Sequence, residues 1–231
     1  MQKESVLIAG IISLLFLSCA NAPESDKAKT TEAKEVAQSN GGEKWNLNVS
    51  DSKIEWIGTK VTGYHTGTVP LKSGEVYVKN GEVSGGRFVM DVANMNVSGP
   101  KGDTSADRKL LGHLKSADFF DVTKYPDAIF ELTNVRTYSG GPVKDSADER
   151  QNEISEYKVT DPTHLVSGNL TIKGVTKNIE FPARITVSGN SAEAIAKFNI
   201  DRKEWGIIYK GKPDDLIRDA IHLGISIKAS K

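Results

Sequence analysis

The chain has 231 residues, room for one large β domain, and its 30 basic and 30 acidic side chains leave a formal net charge of zero. That balance excludes a global electrostatic pull toward nucleic acid or an anionic membrane. One cysteine excludes an intrachain disulfide and any CxxC zinc or redox site, so the body must rest on its core, and 38% hydrophobic residues is enough for one.

Residues 1–18 read as a signal peptide. Val6 to Leu17 is nearly all apolar, the length of a signal core and too short to span a bilayer. It ends at Phe16-Leu17-Ser18-Cys19, where a small residue precedes the chain's single cysteine. That arrangement resembles the lipobox of bacterial lipoproteins, and it implies an exported protein, periplasmic or at the outer envelope, anchored to a membrane through a lipidated Cys19. Ordinary secretory cleavage is the alternative. From Ala20 to Lys44, Val36 is the one large apolar residue. Such a composition cannot bury enough apolar surface to offset chain entropy, so 19–44 is expected to be a flexible tether reaching roughly 25–30 Å.

The body is expected at 45–231. After Trp45, apolar residues recur with period two. Ile54 and Trp56 share a face, as do Val76 and Val78, then Phe88, Met90 and Val92, then Ala128, Phe130 and Leu132. His164, Val166, Gly168, Leu170, Ile172 and Gly174 line one face of a longer strand, with Ser167, Asn169, Thr171 and Lys173 opposite. Three more follow: Ile179 to Val187, Ala194 to Ile200, and Ile221 to Ile227. About eight strands emerge, joined by tight-turn signals at Asn80-Gly81, Gly174–Asn178 and Gly189-Asn190. A sheet with one apolar face must close or stack, and closure removes its edges. The fold class is therefore all-β, a single antiparallel barrel. The polar run from Tyr138 to Glu156 reads as an exposed loop within it.

One stretch breaks the alternation. Ala106, Leu110 and Leu114 recur at helical spacing behind Asp103 or Ser105 as cap, and a short turn follows at Ala117 to Phe120. This helix is expected to cover one barrel mouth. The four histidines, His65, His113, His164 and His222, are scattered without HxH or HExxH pairing, so no metal site and no cofactor is expected. There is no GxSxG elbow, P-loop or GxGxxG fingerprint, and no enzymatic activity is expected. His113, Asp118 and Asp121 could pose as acid/base residues, but they also cap and punctuate a helix and turn.

Three motifs now carry a resemblance. Gly112 to Phe130, GHLKSADFFDVTKYPDAIF, is similar to the HLxSxDFFDVxxYPxxxF stretch of the YceI-like family. Val166 to Lys177 resembles its GxLTIKGVTK hairpin, and Asp201 to Gly206 its DRxxWG turn. The blocks come in family order. Where many members carry charge before the His-Leu pair, this chain has Leu110-Leu111-Gly112. The resemblance implies a lipocalin-like barrel with an elongated apolar interior that holds a long isoprenoid-type lipid.

Under that reading Trp56, Phe88, Met90, Phe119, Phe120, Phe130, Leu170, Ile172, Phe181 and Phe198 line the cavity, and His113, Arg202 and Trp205 are mouth or rim candidates. Arg202 and Trp205 fit either a guanidinium–indole stack or a polar rim for a lipid head group. Gly168, Gly174, Ala183, Ala194 and Ala196 interleave with bulky neighbours and leave room inside. The expected function is binding and sequestration or carriage of an apolar lipid, with membrane contact through Cys19 and no nucleic-acid partner. The alternative is a structural or stress-related interaction protein with a filled barrel.

Overall fold

The computed structural model describes residues 21–37, 41–98, 104–140 and 156–231. The signal segment, Cys19 and most of the polar insertion (141–155) lie outside them.

Among the described residues twelve strands form: β1 (Lys29–Glu32), β2 (Glu43–Leu47), β3 (Lys53–Lys60), β4 (Gly63–Thr68), β5 (Leu71–Lys79), β6 (Glu82–Asp91), β7 (Asp127–Thr137), β8 (His164–Ile172), β9 (Val175–Ser188), β10 (Ser191–Asp201), β11 (Gly211–Lys212) and β12 (Asp215–Ser230). Hydrogen-bonded neighbours run β10-β9-β8-β7-β6-β5-β2-β12 and back to β10, all antiparallel. That circuit is a closed eight-stranded barrel. Beside β2, the same edge of β12 also carries β3, and β4 pairs beyond it.

All eight alternating segments of the sequence are strands. The hairpins hold because their central residues accept positive φ: Asn80 and Gly81 at 54° and 81°, Lys173 and Gly174 at 49° and 73°. The turn in the second hairpin is tighter than the expected Gly174–Asn178, since β9 already begins at Val175. Val92 leaves β6 for a 3₁₀ turn, Val92–Asn94, capped by the Asp91 carboxylate.

The helix α1 (Ser105–Lys115) is capped by Thr104, not by Ser105, which is its first residue; Asp103 is outside the described residues. Asp107 closes a capping box, its Oδ2 accepting from the Thr104 N–H (3.0 Å) and hydroxyl (2.8 Å). These bonds, the side-chain one first, hold the Asp107 carboxyl below the usual carboxylate range. Leu114 is buried, with Leu110 and Leu111 packed beside it, so α1 lays its apolar face over one barrel end.

The expected flexible tether is corrected over Pro23 to Ala37. β9 and β10 pair only from Ser191↔Ser188 to Ala196↔Ala183 and then part. The N-terminal segment enters the gap. Asn199 of β10 donates its N–H to Asp26 O (2.7 Å) and accepts from Ala28 N–H (2.9 Å). β1 then pairs with Lys177–Glu180 of β9, and Ala37 N–H reaches Leu132 O on β7. Composition correctly excluded a core here. It could not show that a polar segment would be held by the backbone donors and acceptors of two parted strands.

Candidate ligand cavity

The inner face of the barrel encloses a cavity of about 720 Å³, well within the range of small-molecule sites, roughly 300–1,000 Å³. It runs lengthwise. Val76, Ala192 and Ala229 line it near the 80–81 and 189–190 hairpins, and Leu110, Leu114, Trp205 and Ile207 line it beneath α1.

Every one of the ten apolar lining candidates borders this cavity, because each lies on the inward face of an alternating strand or at the end of the helical stretch. Four of the phenylalanines form a chain around the wall. Phe88 of β6 faces Phe130 of β7 at 6.5 Å between centroids, Phe130 meets Phe181 of β9 at 6.0 Å, and Phe181 stacks on Phe198 of β10 at 4.1 Å. Phe130 can reach Phe181 because β8 between them carries Gly168. A side chain at Gly168 would collide with the Phe130 ring. Gly168 therefore serves ring packing, and Gly174 serves its turn. Ala183, Ala194 and Ala196, in contrast, do border the open space.

The rim candidates all border the cavity but do different work. His113 lies edge-on between Phe119 and Tyr209, at 5.0 and 4.7 Å, with Nε2 3.3 Å from the exposed Asp118 carboxylate. Asp121 is spent on a turn, its carbonyl accepting from Lys124 and Tyr125 N–H. Arg202 and Trp205 belong to a buried pin, neither a mutual stack nor an open rim. The Arg202 guanidinium donates to the carbonyls of Ile207 (2.6 Å), Arg218 (3.1 Å) and Ile217 (3.4 Å), and to Asp219 Oδ1 (3.1 Å). Burial pulls its pKa down, and Asp219 and Asp201 oppose that pull. Trp205, 0% exposed, donates Nε1–H to Leu170 O at 2.9 Å. Together they fasten the 3₁₀ turn Arg202–Trp205 across the barrel end.

Two further features are polar. Among the described residues, the buried side-chain polar atoms without a hydrogen-bond partner are Trp56 Nε1, Thr59 Oγ1 and His65 Nδ1. Each such atom costs roughly 1–3 kcal/mol when left unsatisfied. All three residues border the cavity, on adjacent strands β3 and β4. Period-two reading passed over Thr59 because it lies out of step with Ile54 and Trp56 on β3, opposite Tyr64 on β4. Outside the barrel, Ser167, Asn169 and Asn178 are buried although they point away from the cavity, since the N-terminal segment covers them. Two asparagines paired across neighbouring strands, Asn169↔Asn178, were the sequence signal for that.

Over residues 45–229 the chain matches the model of the YceI-like domain. The chain belongs to the YceI-like family. Curated relatives include a UPF0312 protein of Pseudomonas putida, 36% identical over 77 residues (33% of this chain, 29% of that one), and a UPF0312 protein of Pectobacterium carotovorum, 34% identical over 101 residues (43% and 40%). The chain thus spans less than half the length of these relatives. Among solved structures, BcnA of Burkholderia cenocepacia superposes with a TM-score of 0.59 at 16% identity, covering 80% of this chain and 99% of that one. A polyisoprenoid binding domain from Saccharophagus degradans gives 0.55 at 13% identity, covering 85% and 99%. These likenesses establish the YceI-like barrel fold for this chain.

Proposed function

We propose that the barrel holds a long apolar lipid, of isoprenoid type, and that the protein carries or sequesters it in the cell envelope, tethered through a lipidated Cys19. The observation that carries this reading is the lengthwise cavity of about 720 Å³ with an inner wall of phenylalanine, leucine, isoleucine and alanine. A polyisoprenoid binding domain among the structural neighbours supports the ligand class. A filled structural barrel would need larger residues where Ala183, Ala194 and Ala196 leave open space.

The physics favours carriage over tight storage. Each buried CH₂ is worth about 0.8 kcal/mol against water, so a long prenyl chain would nominally exceed the practical ceiling near 18–21 kcal/mol. Such a lipid normally resides in a bilayer, where its chain is already out of water. The barrel competes with membrane, and the net preference is small and set by cavity shape. No catalytic step is part of this function.

The test is a mass spectrum of the organic extract of protein purified from its membrane fraction. A stoichiometric long-chain lipid is the expected result. Protein that yields none, and takes up none from lipid vesicles, would reject the reading.

A further inference from the structure

We infer that the end of the barrel beneath α1 is a docking surface for an anionic phospholipid bilayer, with Ile208 as its leading apolar contact. The docking is independent of what the barrel holds. Its use, passage of a lipid between bilayer and cavity, rests on the reading of the cavity as a lipid site. Exposed apolar side chains gather at this end. Among the described residues the large hydrophobics left exposed are Val36, Val49, Tyr64, Tyr125, Val175, Ile208 and Leu216. Val36 belongs to the N-terminal segment and Val49 to the turn after β2. The other five lie near the starts of β4, β7, β9, β11 and β12, the strand ends nearest α1 and the turn that follows it. Singly exposed hydrophobics are ordinary, but five gathered at one end mark an interaction surface.

The fold holds Ile208 outward. Ile207 before it is buried and borders the cavity, and the Tyr209 ring after it lies edge-on to His113 of α1 at 4.7 Å. Ile208 between them is 67% exposed. Leu216 is brought alongside by β11, where Gly211 pairs with Leu216 and Lys210 O accepts from Ile217 N–H at 2.9 Å. Apolar contacts already positioned by their neighbours lose little entropy on docking.

Charge complements this placement. The chain's net charge is zero, so any attraction to a bilayer must be local. Lys109 on α1, Lys210 and Lys212 are exposed and form no ion pair among the described residues. Lys109 and Lys212 also border the cavity, so free cations stand at its α1 end. Most acids nearby are engaged. Asp215 binds Lys60 at 2.5 Å, Asp219 binds Arg202 and Lys203, Asp107 and Asp201 serve as caps, and Asp118 faces His113 at 3.3 Å. Glu204 and Asp214 remain. At the other end of the barrel, the charged residue bordering the cavity is the exposed Glu193. An anionic surface therefore matches the α1 end and not the opposite one. Ile208 and Leu216 reach the acyl boundary while the lysines extend to the phosphates.

The experiment combines the full-length protein with vesicles that carry brominated acyl chains and reads tryptophan quenching. The native tryptophans, Trp45, Trp56 and Trp205, are all buried, so Ile208→Trp supplies an exposed indole. A lipid anchor at Cys19 would hold the protein to any vesicle, and the readout is which end meets the bilayer. Emission of Ile208→Trp is expected to be quenched on phosphatidylcholine mixed with phosphatidylglycerol, and far less on phosphatidylcholine alone. Lys210→Gln and Lys212→Gln in the same background should each lower the ratio of docked to undocked protein about fivefold. Asn190→Trp, at the opposite end, should escape quenching. Leu216→Trp repeats the measurement if Ile208→Trp folds poorly. No quenching at 208, or equal quenching at 190 and 208, would overturn the docking surface. Equal quenching on both kinds of vesicle would overturn its anionic partner. Emission of Ile208→Trp that shifts to the blue with protein concentration, without vesicles, would assign the patch to a second copy of the chain instead. Quenching by protein that yields no extractable lipid would reject the cavity reading and leave the docking surface standing.

Discussion

Asn169 grips Lys34 by both backbone groups: its Nδ2 donates to Lys34 O at 2.7 Å, and Lys34 N–H donates to its Oδ1 at 3.0 Å. A side-chain amide here imitates a strand edge, and it lets the N-terminal segment cross the outer face of β8 after leaving the gap between β9 and β10. Beneath the crossing, Asn178 donates Nδ2–H to Asn169 Oδ1 (3.1 Å) and accepts from the Ser167 hydroxyl (2.9 Å). The network is satisfied only while both layers are present.

Asn169→Ala should therefore destabilise the protein by about 1–3 kcal/mol, since it strands both Lys34 groups and half of the Asn178 amide. Equilibrium denaturation reads the loss. Hydrogen exchange should localise it, with amides of residues 28–37 exchanging faster and those of β5 and β6 unchanged. Uniformly faster exchange would mean that the segment is an integral barrel strand and does not open separately.

Removing the pin at the other end should cost more. Trp205→Phe deletes the Nε1–H bond to Leu170 O, a loss of about 0.5–1.5 kcal/mol, while Trp205→Ala adds a cavity and should cost about 3–5 kcal/mol. Arg202→Lys offers a point charge in place of a fork aimed at three carbonyls and a carboxylate, so it should rank with the alanine change and not with the phenylalanine one. Thermal unfolding of the three variants gives the order. An Arg202→Lys protein as stable as wild type would return Arg202 to an open rim role.

The contrast between these two ends shows what the sequence could tell. Strands β3, β5 to β10 and β12 were legible because burial on one side imposes alternation, as in Ile179, Phe181 and Ala183. The cavity lining followed from the same register. Trp205 and Arg202 were visible as residues, but their partners are carbonyls of Leu170, Ile207, Ile217 and Arg218, and backbone oxygens carry no signature in a sequence. The N-terminal segment failed for a related reason: it is fastened by main-chain bonds to Asn199 and to β9, with Ala28 as its one deeply buried apolar residue at 2% exposure. β2 and β4 were too short, and β4 too rich in glycine and threonine, to show a period. Thr59 was passed over because it lies out of step with Ile54 and Trp56, and His65 because it belongs to β4.

His222 gives the protein a defined response to acid. The ring is buried, with Nδ1 2.9 Å from Asn199 Oδ1, and Asn199 Nδ2 donates to Pro23 O, which turns its oxygen toward the histidine. The Tyr157 ring stands edge-on at 5.3 Å. Burial first, and then the charge of Lys197, lower the pKa to about 4. The unfolded chain accepts a proton near 6.5 and the folded one resists it. Stability from this group is therefore complete above pH 6.5 and falls by about 3 kcal/mol as pH drops to 4. Carboxylates held below their usual range lose stability mainly below that window. Urea midpoints between pH 7 and 4 should slope downward in wild type and flatten in His222→Gln. A flat wild-type profile would show that the folded ring titrates normally.

The open space beside Ala183 and Ala196 separates a hollow barrel from a solid one. Both alanines border the cavity, on strands that part just beyond their own pairing, and each lies two residues from one of the stacked rings Phe181 and Phe198. In a filled core, Ala183→Leu or Ala196→Leu would force neighbours off their rotamers and cost about 1–3 kcal/mol. In a hollow one, the new side chains extend into volume that a ligand occupies. The expected outcome is near-wild-type thermal stability of the delipidated variants, together with a marked loss of extractable lipid. The two measurements must be made on the same preparations, because bound lipid itself stabilises the folded state by mass action and would otherwise mask the comparison. Strong destabilisation of both delipidated variants, with wild type free of lipid, would leave a packed structural barrel as the better description. Retained stability with retained lipid would place the bound chain away from the β9–β10 wall, toward the β5–β7 side lined by Phe88 and Met90.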